Sequence, residues 1–192
     1  MIYVIEHLEE ELGEWCLIEY EHISKIVGAG NLWITNLRGM NGKEKLEKFS
    51  KVFDEEAINI IGDSDEVGIL DPEVEKTLRR SDCFKIKYFV FGGILGDYPP
   101  RKRTEKELSW KFEKARKFNL GREQMATDNA VYVVSQIVKG RELEDIEFVD
   151  GISIKINSIL TTELPFKYVK VKGKGLISEK LVKYVKRKDG EE

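Results

Sequence analysis

A chain of 192 residues with 41% hydrophobic side chains is long enough to bury a sizeable core as one folded unit. Its 32 basic and 35 acidic residues leave a formal charge of −3, so no global field draws in nucleic acid and any such binding must rest on local patches. With no long apolar run and no signal-like leader, the sequence predicts a cytoplasmic protein without a membrane span; Cys16 and Cys83 lie far apart, and His7 and His22 are the only histidines, which argues against a disulfide framework and against a bound metal.

In chain order, Ile2 to Ile5 is predicted as the first strand, and the acids that follow mark its exit. Cys16, Tyr20, Ile23 and Val27 recur at four, three and four residues, which places them on one face of a helix over Glu14 to Val27 that Gly28 and Gly30 terminate. Asn31 to Thr35 then reads as a short strand, completing a parallel strand, helix, strand crossover. A helix is expected from Lys43 to about Phe53, and a shorter one near Glu55 to Ile61. Val67 to Leu70 is the next strand, closed by Asp71-Pro72 and followed by a helix from Glu73 to Arg80. Ile86 to Phe91 is the central strand, because four successive large apolar residues from Tyr88 need cover on both faces.

Thr104 and Glu107 have the spacing of a capping box, which predicts a helix from Glu105, then a strand near Ala115 to Leu120 that Gly121 breaks. Thr127 is the expected N-cap of the following helix, whose buried stripe of Ala130, Val131, Val134, Ile137 and Val138 ends at Gly140. Strands at Ile146 to Val149 and Ile152 to Ile156, and a basic helix from Ser178 to about Lys186, complete the reading. The fold class is α/β, a mostly parallel sheet flanked by helices.

The most informative stretch is Gly92-Gly93-Ile94-Leu95-Gly96-Asp97 with Pro99-Pro100 and Arg101-Lys102-Arg103. It bares backbone at the carboxyl end of the central strand, where open α/β sheets bind ligands. No complete G-x-G-x-x-G is present, the proline pair forbids a helix directly after the glycines, and no Walker A Gly-Lys-Ser/Thr follows. These absences argue against dinucleotide and nucleoside triphosphate ligands.

Four stretches resemble, in order, motifs of a small family of SPOUT-class methyltransferases found in archaea and eukaryotes: Tyr3 to Glu10 with Glu14-Trp15, Gly92 to Thr104, Gln124 to Asp128, and Glu163 to Phe166 with Tyr168. Eukaryotic members include arginine methyltransferases of a small-subunit ribosomal protein, and archaeal members are described as RNA methyltransferases; both use S-adenosylmethionine. The resemblance implies a single domain over 1–192, a trefoil knot in the donor-binding part at about 85–170, and a basic C-terminal helix or tail at 176–192. It places the donor against Gly92, Gly93, Ile94, Leu95 and Gly96, against Gln124, Met125 and Thr127, and against Leu164, Pro165 and Phe166. An arginine of a ribosomal protein is the favoured acceptor, RNA the alternative and non-catalytic ribosome binding a third reading, with homodimer and monomer both open.

Each placement has a physical reason. Bare backbone can bond an adenine edge while Ile94, Leu95, Leu164 and Phe166 cover its faces, and a helix N-terminus near Thr127 can receive a carboxylate. Methyl transfer from a sulfonium chiefly needs alignment, and an arginine acceptor, a planar cation, calls for carboxylates that hold it bidentately and take its proton. The candidates are Glu6, Glu9, Glu10, Asp97 and Glu163, with Glu6 and Glu163 leading. Arg101 and Arg103 are candidate substrate contacts, to phosphate or to an acidic surface. His7 is either a base or a structural hydrogen-bonding residue, and Trp15 either stacks on an acceptor or packs in the core. A valine at Gly93 is expected to abolish donor binding while leaving the fold intact.

Overall fold

A computed structural model describes residues 1–96 and 101–190. At its centre is a six-stranded sheet of β1 (Ile2–His7), β2 (Leu32–Thr35), β3 (Lys51–Val52), β4 (Val67–Leu70), β5 (Tyr88–Gly93) and β6 (Arg116–Phe118). The spatial order is β3-β2-β1-β5-β4-β6, and every pairing is parallel. Phe89 and Phe91 pack into one core with α1 (Glu14–Val27) and α5 (Thr127–Val138), whereas Val90 packs into a second core on the opposite face. This two-sided cover is what the apolar run of β5 demands, and each such buried side chain contributes roughly 1.5–3 kcal/mol. On α1 the predicted face is buried at Cys16, Tyr20 and Ile23, and Gly28, with φ 87°, closes the helix by donating its N–H to the Ser24 carbonyl.

The C-terminal third forms a separate antiparallel sheet of β7 (Phe148–Lys155), β8 (Thr161–Val171) and β9 (Lys174–Gly175), in the order β7-β8-β9. Ile154, Leu164 and Tyr168 of this sheet, with Val185 of α6 (Glu179–Gly190), make a third core that reaches Trp15 of α1.

Several local expectations give way to long-range pairing. The helix from Lys43 ends at Leu46 as the short α2 (Lys43–Leu46), because Lys51 and Val52 pair with Trp33 and Ile34 as β3. The shorter helix near Ile61 is present as α3 (Ala57–Ile61). Glu73 to Arg80 is not a helix: Asn119 donates its backbone N–H to the Lys76 carbonyl at 2.8 Å and accepts from Leu78 at 3.0 Å, and a 3-10 turn begins only at Arg80. The Thr104–Glu107 capping box does not form, because α4 (Arg103–Glu107) starts earlier, after Lys102 at φ 57°, and the Arg103 guanidinium takes Glu107 at 2.8 Å. Ala126, not Thr127, occupies the N-cap of α5. The two strands predicted between Ile146 and Ile156 are one strand, with a register shift between Asp150 and Ile152 at Gly151, φ 77°. Glu163 to Phe166, for which no strand is predicted from the sequence, lies inside β8.

Candidate active site

The loops that leave β4 and β6 are held by buried polar side chains. Asp71 accepts a hydrogen bond from the Ser109 hydroxyl at 2.5 Å and from the Glu73 N–H at 3.0 Å. Asn119 donates to the Val74 carbonyl at 2.7 Å and accepts from Thr77 and from the Gly121 N–H, both at 3.0 Å. Between these loops and the end of β5 lie two adjoining hollows of about 120 and 90 Å³, whose shared walls are Asp71, Pro72, Gly92, Thr104, Met125 and Thr127. Their position, outside the carboxyl ends of three neighbouring parallel strands, is where α/β sheets take ligands.

A larger cavity of about 270 Å³ lies beyond Ile94, Gln124, Met125 and Thr127, which line it and the 120 Å³ hollow alike. Trp15, Phe166 and Tyr168 give it aromatic walls, and it also meets two carboxylates, Glu19 of α1 and Asp128 of α5. Both acids are buried, with 6% and 3% of their surface exposed, so each depends on partners. Asp128 meets the ring Nδ1 of His22 at 2.7 Å and accepts from the Asn129 amide at 2.8 Å. Asn129 is itself fixed, donating to the Leu176 carbonyl and accepting from the Val169 N–H. Glu19 accepts from the Asp128 N–H at 3.4 Å, at the start of α5. Burial, and then the Asp128 charge, push the Glu19 carboxyl up to about 8. At the shared wall the Gln124 Oε1 is buried without any hydrogen-bond partner, an orphaned acceptor of the kind a bound donor group satisfies.

The structure sorts the predicted residues. Ile94, Leu95, Gly96, Gln124, Met125, Thr127 and Phe166 line the larger cavity, and Gly92 lines the strand-end hollows. Leu164 and Pro165 line neither; with Glu163 they border a groove on the outer side of Phe166, where Glu163 accepts from the Ser153 hydroxyl at 2.8 Å. Gly93 also lines neither, and the expectation for Gly93→Val is corrected: a Cβ there would run into the Tyr20 hydroxyl and lie 2.9 Å from Ile5 Cγ2, so the fold itself requires this glycine. Gly96 is the glycine pressed against the cavity, since a Cβ there would lie 2.6 Å from the Phe166 ring and 2.7 Å from the Gln124 amide nitrogen.

Glu6, expected to face an acceptor, points to the other side of the sheet. Side chains alternate along β1, so Ile5 and His7 face α1 whereas Glu6 shares the face of Val4. There it is 1% exposed and accepts from the Thr35 hydroxyl at 2.5 Å and the Ala57 N–H at 2.7 Å, tying β2 to α3; burial raises its pKa. Glu9 accepts from the Leu95 N–H at 2.8 Å and from Arg103 at 2.7 Å, and Arg103 also donates to the Leu8 carbonyl. These two predicted substrate contacts therefore brace the glycine loop. Glu10 is exposed, and Arg101 lines the 120 Å³ hollow. Asp97, with Tyr98, Pro99 and Pro100, lies outside the described residues. His7 is buried with Nδ1 2.8 Å from the Tyr20 hydroxyl, and burial lowers its pKa, which is the structural reading of this histidine.

Glu19 and His22 escaped the sequence reading of the site. A signal for Glu19 was present, because it is an acid on the buried side of α1 next to Cys16, Tyr20 and Ile23. Among the described residues no helix is long and apolar enough to cross a membrane, and no group of three or more His, Cys, Asp or Glu is placed to hold a metal ion.

A mostly parallel sheet flanked by helices is shared with SPOUT methyltransferases. Trm10 from Thermococcus kodakaraensis matches with a TM-score of 0.58 over 76% of this chain and 96% of its own, at 18% identity, a likeness of fold consistent with a trefoil knot. More specifically, the family model described as Protein arginine N-methyltransferase SFM1-like matches residues 2–192, and the chain belongs to that family. It is 36% identical to Protein arginine N-methyltransferase SFM1 of Saccharomyces cerevisiae over 204 residues, 97% of this chain and 95% of that one. The crystal structure of the yeast arginine methyltransferase SFM1 complexed with SAM matches with a TM-score of 0.89 at 33% identity, covering 98% of this chain and 91% of that one. The complex with SAH gives 0.88 at 34% identity, covering 96% and 94%.

Proposed function

We propose that this chain is an S-adenosylmethionine-dependent methyltransferase whose acceptor is an arginine of a protein, a ribosomal protein being the favoured one, and that it acts in the cytoplasm. The observation that carries the acceptor is the pair of buried carboxylates, Glu19 and Asp128, in an aromatic-walled cavity that adjoins the strand-end hollows. A planar cation on an apolar stem is complementary to such a cavity. A nucleobase is planar but uncharged and gives the two carboxylates no cation to hold, which favours protein over RNA as the acceptor.

The strand-end hollows fit the donor: Gly92 and Gly121 leave backbone bare, Pro72, Leu120, Met125 and Ala130 offer apolar faces, and the orphaned Gln124 Oε1 awaits a donor group. We take the donor-binding part to be about 85–170, extended by Asp71 and Pro72. When bound, S-adenosylmethionine supplies a methyl group on a sulfonium, which keeps its bonding electron pair as sulfide when the new N–C bond forms. In the larger cavity, Trp15, Phe166 and Tyr168 hold the arginine stem, and Glu19 with Asp128 orients the guanidinium. The arriving cation favours ionised Glu19, whose proton leaves as the arginine binds. Glu19 then receives the one N–H proton that the acceptor nitrogen must shed, and Asp128 with His22, whose side chain is 15% exposed, leads from there to solvent.

The test is to add tritiated S-adenosylmethionine and the protein to cell extract, with and without ribonuclease. Label in ribonuclease-resistant, protease-sensitive material that hydrolyses to methylarginine is the expected result. Label lost to ribonuclease would replace this reading with RNA methylation, and failure to take up donor in calorimetry would leave non-catalytic ribosome binding.

A further inference from the structure

On the side of α1 and α6 turned away from the Glu19 cavity, a groove of about 840 Å³ runs between these helices and α2. Six cations line it, Lys25, Lys45, Lys48, Lys180, Lys183 and Arg187, against two acids, Glu14 and Glu21. The two acids are already engaged: Glu21 with Lys25 at 3.0 Å and Lys180 at 2.6 Å, Glu14 with Arg187 at 2.7 Å. Lys45, Lys48 and Lys183 are exposed and have no carboxylate partner among the described residues. A chain with a formal charge of −3 thus concentrates unneutralised positive charge in one concave place.

We infer that this groove docks single-stranded RNA. On α6, Lys180, Lys183 and Arg187 recur at three and four residues and so form a row along one helix face, while Lys45 and Lys48 stand on or just beyond α2. Between them lie the half-buried rings of Phe49 and Tyr184, the latter with the Arg187 guanidinium over it at 5.6 Å and the Trp15 ring against it edge to face. An acidic peptide would answer the charge and bring nothing planar to the Phe49 ring or to the guanidinium of Arg187 that lies over Tyr184. A polynucleotide strand answers both, its phosphates meeting the lysines and its bases stacking on the rings. The helices α1 and α6 that wall the groove also supply Trp15, Glu19 and Leu181 to the cavity on their other side. Docking itself does not depend on the methyl-transfer reading, because it is read as binding alone.

The experiment is fluorescence anisotropy of a short fluorescein-labelled oligouridylate with the full chain. Binding is expected to weaken with salt with a double-logarithmic slope of about −2 or steeper, three unpaired lysines at about −0.7 each. The K45E/K48E/K183E variant should bind at least about tenfold more weakly, and K172E/K174E, which reverses two exposed lysines on the β8–β9 turn, should bind like the unaltered chain. If the charge-reversed groove fails to fold, K45Q/K48Q/K183Q carries the same comparison. No anisotropy change, an equal loss with K172E/K174E, or tighter binding of a glutamate-rich peptide than of the oligouridylate would each overturn the inference.

Discussion

Burial raises the Glu19 pKa, and the neighbouring Asp128 raises it further, so Glu19 keeps a proton that an ordinary carboxyl gives up. Its folded-state pKa is raised, from 4.5 to about 8, so between these values the folded chain binds more protons than the unfolded one. Stability therefore falls as pH rises through that window, and this group adds no slope below or above it. Glu19→Gln should flatten that decline, as thermal unfolding at several pH values from 4 to 9 would show; an unchanged slope would mean that Glu19 is not its source. The same variant should lower kcat for an arginine peptide by about 10²-fold or more while leaving donor affinity in place. Glu19 was legible in principle, being an acid on an apolar stripe, whereas Glu6 was misplaced because only the strand's alternation and the helices packed on each face decide which side a β1 residue meets.

At the level of elements, the glycine loop is shaped by what packs against it. Gly93→Ala should destabilise the fold by about 1–3 kcal/mol through overpacking against Tyr20 and Ile5, seen as a lowered Tm, with donor affinity of the remaining folded protein little changed. Loss of donor binding at unchanged stability would restore the cofactor role for that glycine. Glu9→Ala should leave Tm within a few degrees yet raise the KM for donor or acceptor about tenfold, because it releases both the Leu95 N–H and Arg103; steady-state kinetics would check this. The helices α1 and α5 and the strands β1, β2, β4 and β5 were readable from period and composition, since their apolar patterns are local. β8 was not: its register depends on a bulge in which Pro165 and Phe166 stand opposite Gly151 alone, and there a proline costs no regular ladder bond. The capping box at Thr104 failed for a related reason, since Glu107 had a better partner in Arg103.

Across the whole molecule, α1 joins the parts. It covers the parallel sheet with Tyr20 and Ile23, presents Trp15 and Glu19 to the cavity, and turns Leu17, Ile18 and Lys25 toward the basic groove. The C-terminal sheet and α6 close the cavity from the other side with Phe166, Tyr168 and Leu181, residues more than 140 positions from Trp15 in sequence. Such a union of distant segments is invisible to periodicity; the family motifs took in Trp15, Asp128 and Phe166, which line the cavity, but not Glu19 beside them. Under the proposed function, donor and acceptor occupy separate hollows divided by Gln124, Met125 and Thr127. A crystal structure with S-adenosylhomocysteine and an arginine peptide tests it most directly. The adenosine should lie beside Pro72, Gly92 and Leu120 and the guanidinium within hydrogen-bonding distance of Glu19; an adenosine against Glu19 and Trp15, or a guanidinium bound elsewhere, would refute this arrangement.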